Sequence, residues 1–153
     1  QDPDDQLFMP TVLDDVAFGL CRRGEDRNSQ SGRIVEKVKD RLKELRAEHL
    51  INRSTMRLSA GEKKKVALAG VLITEPEILL LDEPTSGLDP AGKRWLEDYL
   101  LGLEQTLIIT THDLELARKV ARRIILMSGG RLVAEGGPEE ILDNRELLEA
   151  SGL

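Results

Sequence analysis

Residues 78–83 read Ile-Leu-Leu-Leu-Asp-Glu, an aliphatic run that ends in two adjacent carboxylates. A short run of this kind, soon after Pro76, predicts a β-strand. Four consecutive aliphatic residues are typical of a strand that is buried on both faces of a sheet, where unpaired acids are costly. We therefore expect Asp82 and Glu83 to leave the strand at a polar site, one suited to a hydrated Mg²⁺ and the other to a water nucleophile.

The chain before this strand has the pattern of a helical lobe. Ser31 precedes an amphipathic helix, and Ser59 precedes a second helix whose apolar part covers residues 66–73. The first helix carries its apolar face on Ile34, Val35, Val38, Leu42 and Leu45. Pro76 is expected to end the second helix. Residues 20–76 are thus predicted to be mainly helical.

The chain after the strand alternates between helix and strand. The predicted elements are a helix capped by Asp89 with Pro90 in its first turn, a strand over residues 106–110, a helix from Asp113 to Val120, a strand over 123–127, a hairpin turn over 128–131, a strand over 132–134 and a helix from Pro138. A helix between strands indicates a parallel crossover and a continuing βαβ order. The sequence therefore predicts an α/β core over residues 77–153.

Composition narrows the classes of function. The chain has 22 basic and 28 acidic residues and a formal net charge of −6, which argues against a surface that coats nucleic acid. The longest apolar run, residues 66–73, is far shorter than the roughly 20 residues of a membrane-spanning helix. The single cysteine, Cys21, excludes an internal disulfide framework and favours a reducing compartment. We expect no nucleic-acid partner and no membrane span.

Residues 58–62, Leu-Ser-Ala-Gly-Glu, stand at the start of the second helix and have two interpretations. Ser59 with Glu62 three residues later is a capping box, which could simply start the helix. A helix start also presents free N–H groups and a positive dipole end, so Ser59, Ala60 and Gly61 could grip a phosphate. Both interpretations can hold together. With the acid pair at residues 82–83, this motif indicates a nucleotide hydrolase.

His112 lies just beyond the strand over residues 106–110, in the run Thr-Thr-His-Asp at 110–113. An isolated histidine is more often structural than functional. The end of a threonine-rich strand is, however, where a polar sensor of phosphate would lie, and this position favours a functional role.

Residues 87–94, Gly-Leu-Asp-Pro-Ala-Gly-Lys-Arg, match the phosphate-binding loop pattern at every position except the last. We reject this match because Pro90 has no N–H, Asp89 would repel phosphate, and Arg94 cannot supply the hydroxyl that ligates Mg²⁺. Lys93 is therefore expected to be a solvated helix residue. The sequence contains no other glycine-rich loop that ends in Lys-Ser or Lys-Thr.

These motifs occur in one order that resembles the ATP-binding subunit of ABC transporters. Residues 58–62 resemble the family's signature motif, 78–83 its Walker B strand, 86–89 (Ser-Gly-Leu-Asp) its D-loop and 110–113 its switch-histidine segment, and Gln1 stands at the position of its Q-loop glutamine. The resemblance covers essentially the whole chain. The opening residues 1–8, with Asp-Val-Ala-Phe-Gly at 15–19, are most similar to the ATPases of cobalt, nickel and energy-coupling-factor vitamin importers.

The resemblance implies a fold and a division of the chain. It implies an α/β, partial P-loop NTPase core of the ABC ATPase type that lacks the amino-terminal strands and the Walker A loop. Residues 1–19 would be the Q-loop segment, 20–76 a helical subdomain with the signature motif, and 77–153 the core. Because the chain opens in mid-motif without an initiating Met, we expect it to be a carboxyl-terminal fragment.

The resemblance also implies roles for the strand-end residues, with ATP and Mg²⁺ as cofactors. Asp82 would bind Mg²⁺ through water, Glu83 would polarise the attacking water, and His112 would sense the γ-phosphate. Gln1 would sense both the metal and the γ-phosphate.

The nucleotide-binding residues implied by the resemblance are Ser59, Ala60, Gly61, Glu62 and Asp89. The signature motif would act on ATP held by a second subunit. The family usually has two glycines and then often glutamine where this chain has Ala60, Gly61 and Glu62. The methyl group of Ala60 and the charge of Glu62 are expected to weaken the binding of phosphate at this helix start.

For the parent protein the resemblance implies a transport ATPase at the cytoplasmic face of the membrane. Its partners would be a second ATPase subunit, in a head-to-tail dimer, and a membrane-spanning subunit that Phe8, Met9 and Leu13 could contact, although core packing explains these residues equally well. Without the phosphate loop, the isolated chain is expected to be inactive. A missing strand beside residues 106–110 would expose a sheet edge, so we expect self-association there and around 123–127.

Two other functions fit the same residues. The chain could be a shortened, non-hydrolytic partner subunit that supplies Ser59 and Gly61 to a full-length neighbour. It could also be an ABC-type ATPase of DNA repair or translation, although such proteins typically carry long coiled coils or a second cassette, and residues 1–59 show no sustained heptads. The transported substrate leaves no mark on this sequence.

Overall fold

The computed structural model describes residues 6–22 and 31–153, which divide into two compact units. The first unit takes the described residues up to Leu79 together with Gly87–Asp89. The second takes Leu80–Ser86 and Pro90–Leu153. The boundary therefore falls within the strand that the aliphatic run at residues 78–82 predicts.

Among the described residues, the first unit has three packed helices, of which the sequence predicted the second and third but not the first. They are α1 (Val12–Arg22), α2 (Gly32–Glu44) and α3 (Ala60–Leu72), with two 3₁₀ turns at Glu48–Leu50 and Thr55–Arg57. The N-cap of α2 is Ser31, whose Oγ accepts the N–H of Ile34 at 3.4 Å. The predicted apolar face of α2 is confirmed, because Ile34, Val38 and Leu42 are buried.

The packing of α1 beside the end of α3 depends on a close approach at Gly19. A Cβ atom there would lie 2.6 Å from Thr74 Cγ2, a separation that real Cβ contacts do not show. Buried aliphatic side chains of both helices contribute to the core of this unit: Val12, Val16, Ala17 and Leu20 of α1, and Val66, Ala69 and Leu72 of α3. Any residue larger than glycine at position 19 would push against this packing.

Two polar side chains hold the segment that leads into α1. Asp15, which is buried, accepts the backbone N–H groups of Phe8 at 3.0 Å and Met9 at 2.9 Å on its Oδ1. Thr55 Oγ1 donates to the carbonyl oxygen of Met9 at 2.7 Å. Phe8 also packs edge-on against Phe18, with ring centroids 4.8 Å apart. These contacts fix the backbone of residues 8–9 against the helical unit.

The strands and the remaining helices alternate as predicted, with one addition. They are β1 (Ile78–Asp82), α4 (Pro90–Leu101), β2 (Thr106–Thr110), α5 (Leu114–Val120), β3 (Ile124–Ser128), β4 (Arg131–Gly136), α6 (Pro138–Leu142) and α7 (Arg145–Ser151). The start of α4 at Pro90 and the bounds of β2 are those predicted. Helix α7 was not predicted.

The predicted hairpin is confirmed, but its place in the sheet is not the expected one. Strands β3 and β4 pair antiparallel across a turn in which Gly129 (φ 55°) and Gly130 (φ 74°) adopt the left-handed conformation that glycine permits. Within the described residues the strands form two separate sheets, β1 with β2 and β3 with β4. The expectation that β3 continues the sheet of β1 and β2 is therefore wrong among the described residues, because β3 is hydrogen-bonded to β4 and to neither of those strands.

The hairpin forms a small core with the two helices that follow it. Leu126 of β3 is buried together with Ile141 and Leu142 of α6 and Leu148 of α7. This cluster explains why the end of the chain continues into a further helix after α6. Among the helices of residues 6–22 and 31–153, none combines the length and the apolar character needed to cross a bilayer.

The expectation that β1 is buried on both faces is wrong. Leu79 is 2% exposed, but its neighbours Ile78 and Leu80 on the other face are 55% and 72% exposed. In β2, Ile108 is 53% exposed. Because successive side chains of a strand point to opposite faces, this chain covers only the face of β1 that carries Leu79.

Candidate functional site

Strand β1 ends in a sharp turn at Glu83. The backbone φ of Glu83 is 43°, in the left-handed region that residues other than glycine rarely adopt. The Glu83 N–H donates to the carbonyl oxygen of Thr110, the last residue of β2, at 2.8 Å, and the Ser86 N–H donates to the carbonyl oxygen of Glu83 at 3.1 Å. Uncommon backbone conformations of this kind cluster at functional sites. The turn holds Glu83 against the end of β2.

The carboxylate of Glu83 is bound by residues that follow β2. Its Oε1 accepts the backbone N–H of His112 at 3.0 Å and lies 2.8 Å from His112 Nδ1, while Oε2 accepts the hydroxyl of Thr111 at 3.2 Å. Because an ionised carboxylate can only accept, we infer that Nδ1 carries a proton and that Nε2 remains for another partner. The structure thus brings Glu83 and His112 together, with the side chain of Glu83 16% exposed and that of His112 77% exposed.

Asp82, the last residue of β1, offers an exposed carboxylate beside this pair. Its Oδ1 accepts the hydroxyl of Thr110. Carboxylate oxygens suit Mg²⁺, which keeps several waters and needs only one or two protein carboxylates when phosphates supply further ligands. Among the described residues, no three or more histidine, cysteine, aspartate or glutamate side chains are grouped to hold a metal ion. The exposed carboxylate of Asp82 fits a Mg²⁺ ion that is held through water.

Asp113 forms a second polar centre directly after the histidine. Its Oδ2 accepts Lys93 Nζ at 2.9 Å and Thr85 Oγ1 at 3.0 Å, and its Oδ1 caps α5 by accepting the Leu116 N–H at 3.2 Å. These donors, above all Lys93, lower the pKa of Asp113 from 3.8 to about 2. The Asp113 N–H in turn donates to Thr111 Oγ1 at 3.0 Å. The expectation that Lys93 is only a solvated residue is wrong, because its ammonium group pairs with Asp113.

The predicted capping box at the start of α3 is present. Ser59 Oγ accepts the Glu62 N–H at 3.4 Å, and Glu62 Oε2 accepts the Ser59 N–H at 2.7 Å. The second contact lowers the pKa of Glu62, so its carboxylate stays ionised. Two N–H groups of this helix start are thus occupied within the box. A phosphate here would be bound by the N–H groups of Ala60 and Gly61, close to the charge of Glu62.

The remaining predicted site residues can be placed as follows. Ser59, Ala60, Gly61, Glu62 and Asp89 belong to the first unit, and Asp82, Glu83 and His112 to the second. A Cβ atom on Gly61 would meet Leu88 Cδ2 at an ordinary 3.8 Å, so close packing does not require glycine at that position. Gln1 lies outside the described residues.

Four residues that take part in the hydrogen bonds of the site were not predicted as partners from the sequence. These are Thr85, Thr110 and Thr111, together with Asp113 in its role beyond the helix cap. A signal existed for part of this set, because three of the four flank His112 in the run at residues 110–113. No local pattern marks Thr85 as a partner of Asp113, which lies 28 residues further along the chain.

The fold and the site define an α/β protein whose polar site forms where two neighbouring strands end. The comparison with known families is more specific. The sequence profile of the ABC transporter family matches residues 4–86, more than half of the chain. The chain belongs to this family.

Relatives and solved structures extend the match to the whole chain. An ABC transporter ATP-binding protein of Gloeobacter violaceus is 47% identical over 156 residues, which cover 100% of this chain and 62% of the relative. The energy-coupling factor transporter ATP-binding protein EcfA of Methanothermobacter thermautotrophicus is 42% identical over 156 residues, covering 100% of this chain and 49% of that protein. The chain therefore spans between about half and two thirds of the length of these relatives.

The structure of CbiO1 from Clostridium perfringens, described as part of the ABC transporter complex CbiONQ, is similar to this chain with a TM-score of 0.78. The two are 38% identical, and the match covers 97% of this chain and 59% of CbiO1. The predicted fold class, a partial α/β core of an ABC ATPase, is confirmed. So is the predicted resemblance to energy-coupling-factor ATPases, since EcfA is among the relatives.

Proposed function

We propose that this chain supplies the metal-binding and water-activating residues, together with a signature motif, to the ATP-hydrolysing subunit of an ABC importer. One observation supports this proposal above all others. In a member of the ABC transporter family, the carboxylate of Glu83 contacts His112 at the end of β1, next to the exposed carboxylate of Asp82. The residues proposed to bind the metal (Asp82), to activate water (Glu83) and to contact phosphate (His112) then lie at one strand end.

The contacts of Glu83 indicate how it acts. Thr111, the His112 N–H and His112 Nδ1 hold the carboxylate of Glu83 in one place at the strand end. Held in this way, Glu83 would orient a water and accept a proton from it. His112 would meet the γ-phosphate through Nε2. Mg²⁺, when bound, would be held through water by Asp82 and Gln1 and would neutralise charge on the phosphates.

The residues that bind the β- and γ-phosphates are proposed to lie outside these 153 residues. The one near match to a phosphate loop, residues 87–94, begins helix α4 at Pro90 and uses Lys93 to pair with Asp113. Phosphoryl transfer depends mainly on positioning and charge stabilisation, so Glu83 has no held substrate without those residues. The isolated chain should bind MgATP weakly and hydrolyse it negligibly.

Two measurements test this function. Calorimetry of the 153-residue chain with MgATP should show no binding at micromolar concentrations, and micromolar affinity would contradict the proposal. In a hybrid, this chain replaces the matching part of the Gloeobacter violaceus relative, to which it is 47% identical. The hybrid should hydrolyse MgATP, whereas a folded hybrid that binds but does not hydrolyse ATP would contradict the assignment of the strand-end residues.

The signature motif is proposed to act on the nucleotide of a second subunit in a head-to-tail dimer. Ala60 and Gly61 would contribute N–H groups, and Ser59 would contribute its hydroxyl. Asp89, in the segment that resembles the D-loop, is proposed to bind the same nucleotide. The capping box supports a well-formed helix start. The ionised carboxylate of Glu62 would weaken the grip on phosphate, because the two carry like charge.

The importer, its partner and its location are proposed from the relatives. EcfA is named as an energy-coupling factor protein and CbiO1 as part of CbiONQ, which favours cobalt, nickel or a vitamin as cargo and a place at the cytoplasmic face of the membrane. Phe8, 61% exposed on a backbone fixed by Asp15, could contact a membrane subunit. Leu13 is 7% exposed and serves the core instead. Loss of co-purification with the membrane subunit in Phe8→Ala would test this contact.

A second candidate, a non-hydrolytic partner subunit, is favoured by the intact capping box in a sequence without a phosphate loop. It would supply Ser59 and Gly61 to a full-length neighbour. Adding the 153-residue chain to a relative whose own signature serine is replaced should then restore hydrolysis. The absence of any stimulation would remove this candidate.

A further inference from the structure

Two lysine–carboxylate pairs connect helix α4 with helix α5. One pair is formed with the N-cap residue of α5 and the other with a residue inside α5. Lys93 of α4 pairs with Asp113, the N-cap of α5, at 2.9 Å. Lys119 of α5 pairs with Glu97 of α4 at 2.6 Å. The pairs are chemically alike, and both lysines are about half exposed while their carboxylates are mostly buried. Only the first pair is continuous with the strand-end site.

The connection from Lys93 to the site runs through Asp113 and Thr111. The Asp113 N–H donates to Thr111 Oγ1 at 3.0 Å, and the same hydroxyl donates to Glu83 Oε2 at 3.2 Å. The other oxygen of Glu83 is bound to His112. A side chain on α4 therefore reaches the carboxylate of Glu83 through a short series of hydrogen bonds.

A second connection closes the arrangement from the other side. Thr85, 2% exposed and two residues beyond Glu83, donates to the same Oδ2 of Asp113 that Lys93 contacts. Residues 83–85 and 111–113 are thus joined at both ends, by Glu83 with His112 and by Thr85 with Asp113. With Lys93 and Thr85 on Oδ2 and the Leu116 N–H on Oδ1, the carboxylate of Asp113 is held in one orientation.

We propose that Thr85, Lys93 and Asp113 form a positioning clamp that holds Glu83 and His112 in the geometry required for hydrolysis. This inference rests on the proposed function, but the geometric part of it stands on the contacts alone. The three residues do not touch the reacting atoms. They act through Thr111 and through the backbone of residues 111–113. Lys93 matters most because a charge-assisted hydrogen bond is stronger than the neutral bond from Thr85.

The geometric part is tested on the 153-residue chain without nucleotide. Heteronuclear NMR of the imidazole nitrogens reports the contact between His112 Nδ1 and Glu83, with His49 as an internal reference and Glu83→Ala as the state without that contact. Lys93→Met should move the His112 resonances toward those of Glu83→Ala. Lys93→Arg, which keeps a cation on the same helix, should leave them near the wild-type position.

Lys119→Met is the matched control. It removes a pair of the same kind between α4 and α5, but this pair has no hydrogen bond to the site. It should destabilise the chain, because it leaves the buried carboxylate of Glu97 without its partner, and yet leave the His112 resonances unchanged. The clamp is overturned if Lys93→Met leaves His112 as in the wild type, or if Lys119→Met moves it by the same amount.

The catalytic part is tested in the hybrid ATPase. Lys93→Met should lower kcat roughly 10-fold while KM for ATP stays within about twofold, since the variant misplaces catalytic groups and not the substrate. Lys93→Arg should restore most of kcat, and Lys119→Met should keep it. Unchanged kcat in Lys93→Met would overturn the clamp. A wild-type hybrid without hydrolysis would instead contradict the proposed function, while the NMR result still decides the geometry.

Discussion

The helix start at Ser59 and the strand end at Glu83 differ in how they are built. At Ser59, both partners of the capping box lie within four consecutive residues of one helix start. At Glu83, the carboxylate, its histidine and its threonine come from segments 28 and 29 residues apart, and Lys93 connects a third segment to them. The first site forms wherever its helix forms. The second depends on tertiary structure, so one substitution there should affect several side chains.

The largest expected effect comes from comparing two N-cap residues, Asp113 of α5 and Ser59 of α3. Asp113→Ala removes the cap of α5 and also the carboxylate that accepts from the buried Thr85 hydroxyl and from Lys93. We expect the free energy of unfolding to fall by about 2–4 kcal/mol, measured by chemical denaturation. A loss no greater than that of Ser59→Ala would show that the tertiary contacts of Asp113 add nothing to its role as a cap.

Acid should weaken the strand-end site in a defined range of pH. The folded-state pKa of Asp113 is about 2 against an ordinary 3.8, so the unfolded chain takes up a proton at higher pH than the folded chain does. This contribution to stability is therefore present above about pH 4 and is lost as the pH falls toward 2. The difference in unfolding free energy between wild type and Asp113→Asn should shrink over that range. A difference that does not vary with pH would contradict the assigned pKa.

A smaller and more local effect is expected at the helix start. Ser59→Ala should cost about 1 kcal/mol, because one cap hydrogen bond is lost. Amide hydrogen exchange should accelerate in the first turn of α3 and be unchanged in residues 111–113. Glu62→Gln is the matched variant, since its side-chain oxygen can still accept the Ser59 N–H. Faster exchange in residues 111–113 in Ser59→Ala would show that the helix start is not self-contained.

The sequence predicted the features that are encoded locally. Ser31 and Ser59 as helix caps, the strand at Thr106–Thr110 and the Gly129-Gly130 hairpin each follow from residues within a few positions of one another. The acids and the histidine of the site were also predicted, because each follows a recognisable strand. Helix α7 had local signals in its N-cap Asn144 and in Gly152 at φ 85°, but its seven residues are too few to give a clear period.

The features that the sequence did not predict depend on tertiary contacts. Lys93 was interpreted as solvated because nothing nearby in the chain marks Asp113, 20 residues away, as its partner. Burial of Leu80 was expected from an aliphatic run, but coverage of a strand face depends on which elements pack against it. The left-handed backbone of Glu83 has no sequence signal either, since glutamate rarely adopts it. The roles of all the predicted site residues, Gln1 and Asp89 included, stay predictions.

The most direct test of the central claim, that the carboxylate of Glu83 activates the attacking water, is the hydrolysis rate of the hybrid ATPase carrying Glu83→Gln. Glutamine keeps the shape of the side chain and can still accept from His112, but it cannot take a proton from water. We expect ATP binding to persist and steady-state hydrolysis to fall at least roughly 100-fold. Undiminished hydrolysis by this variant would contradict the account.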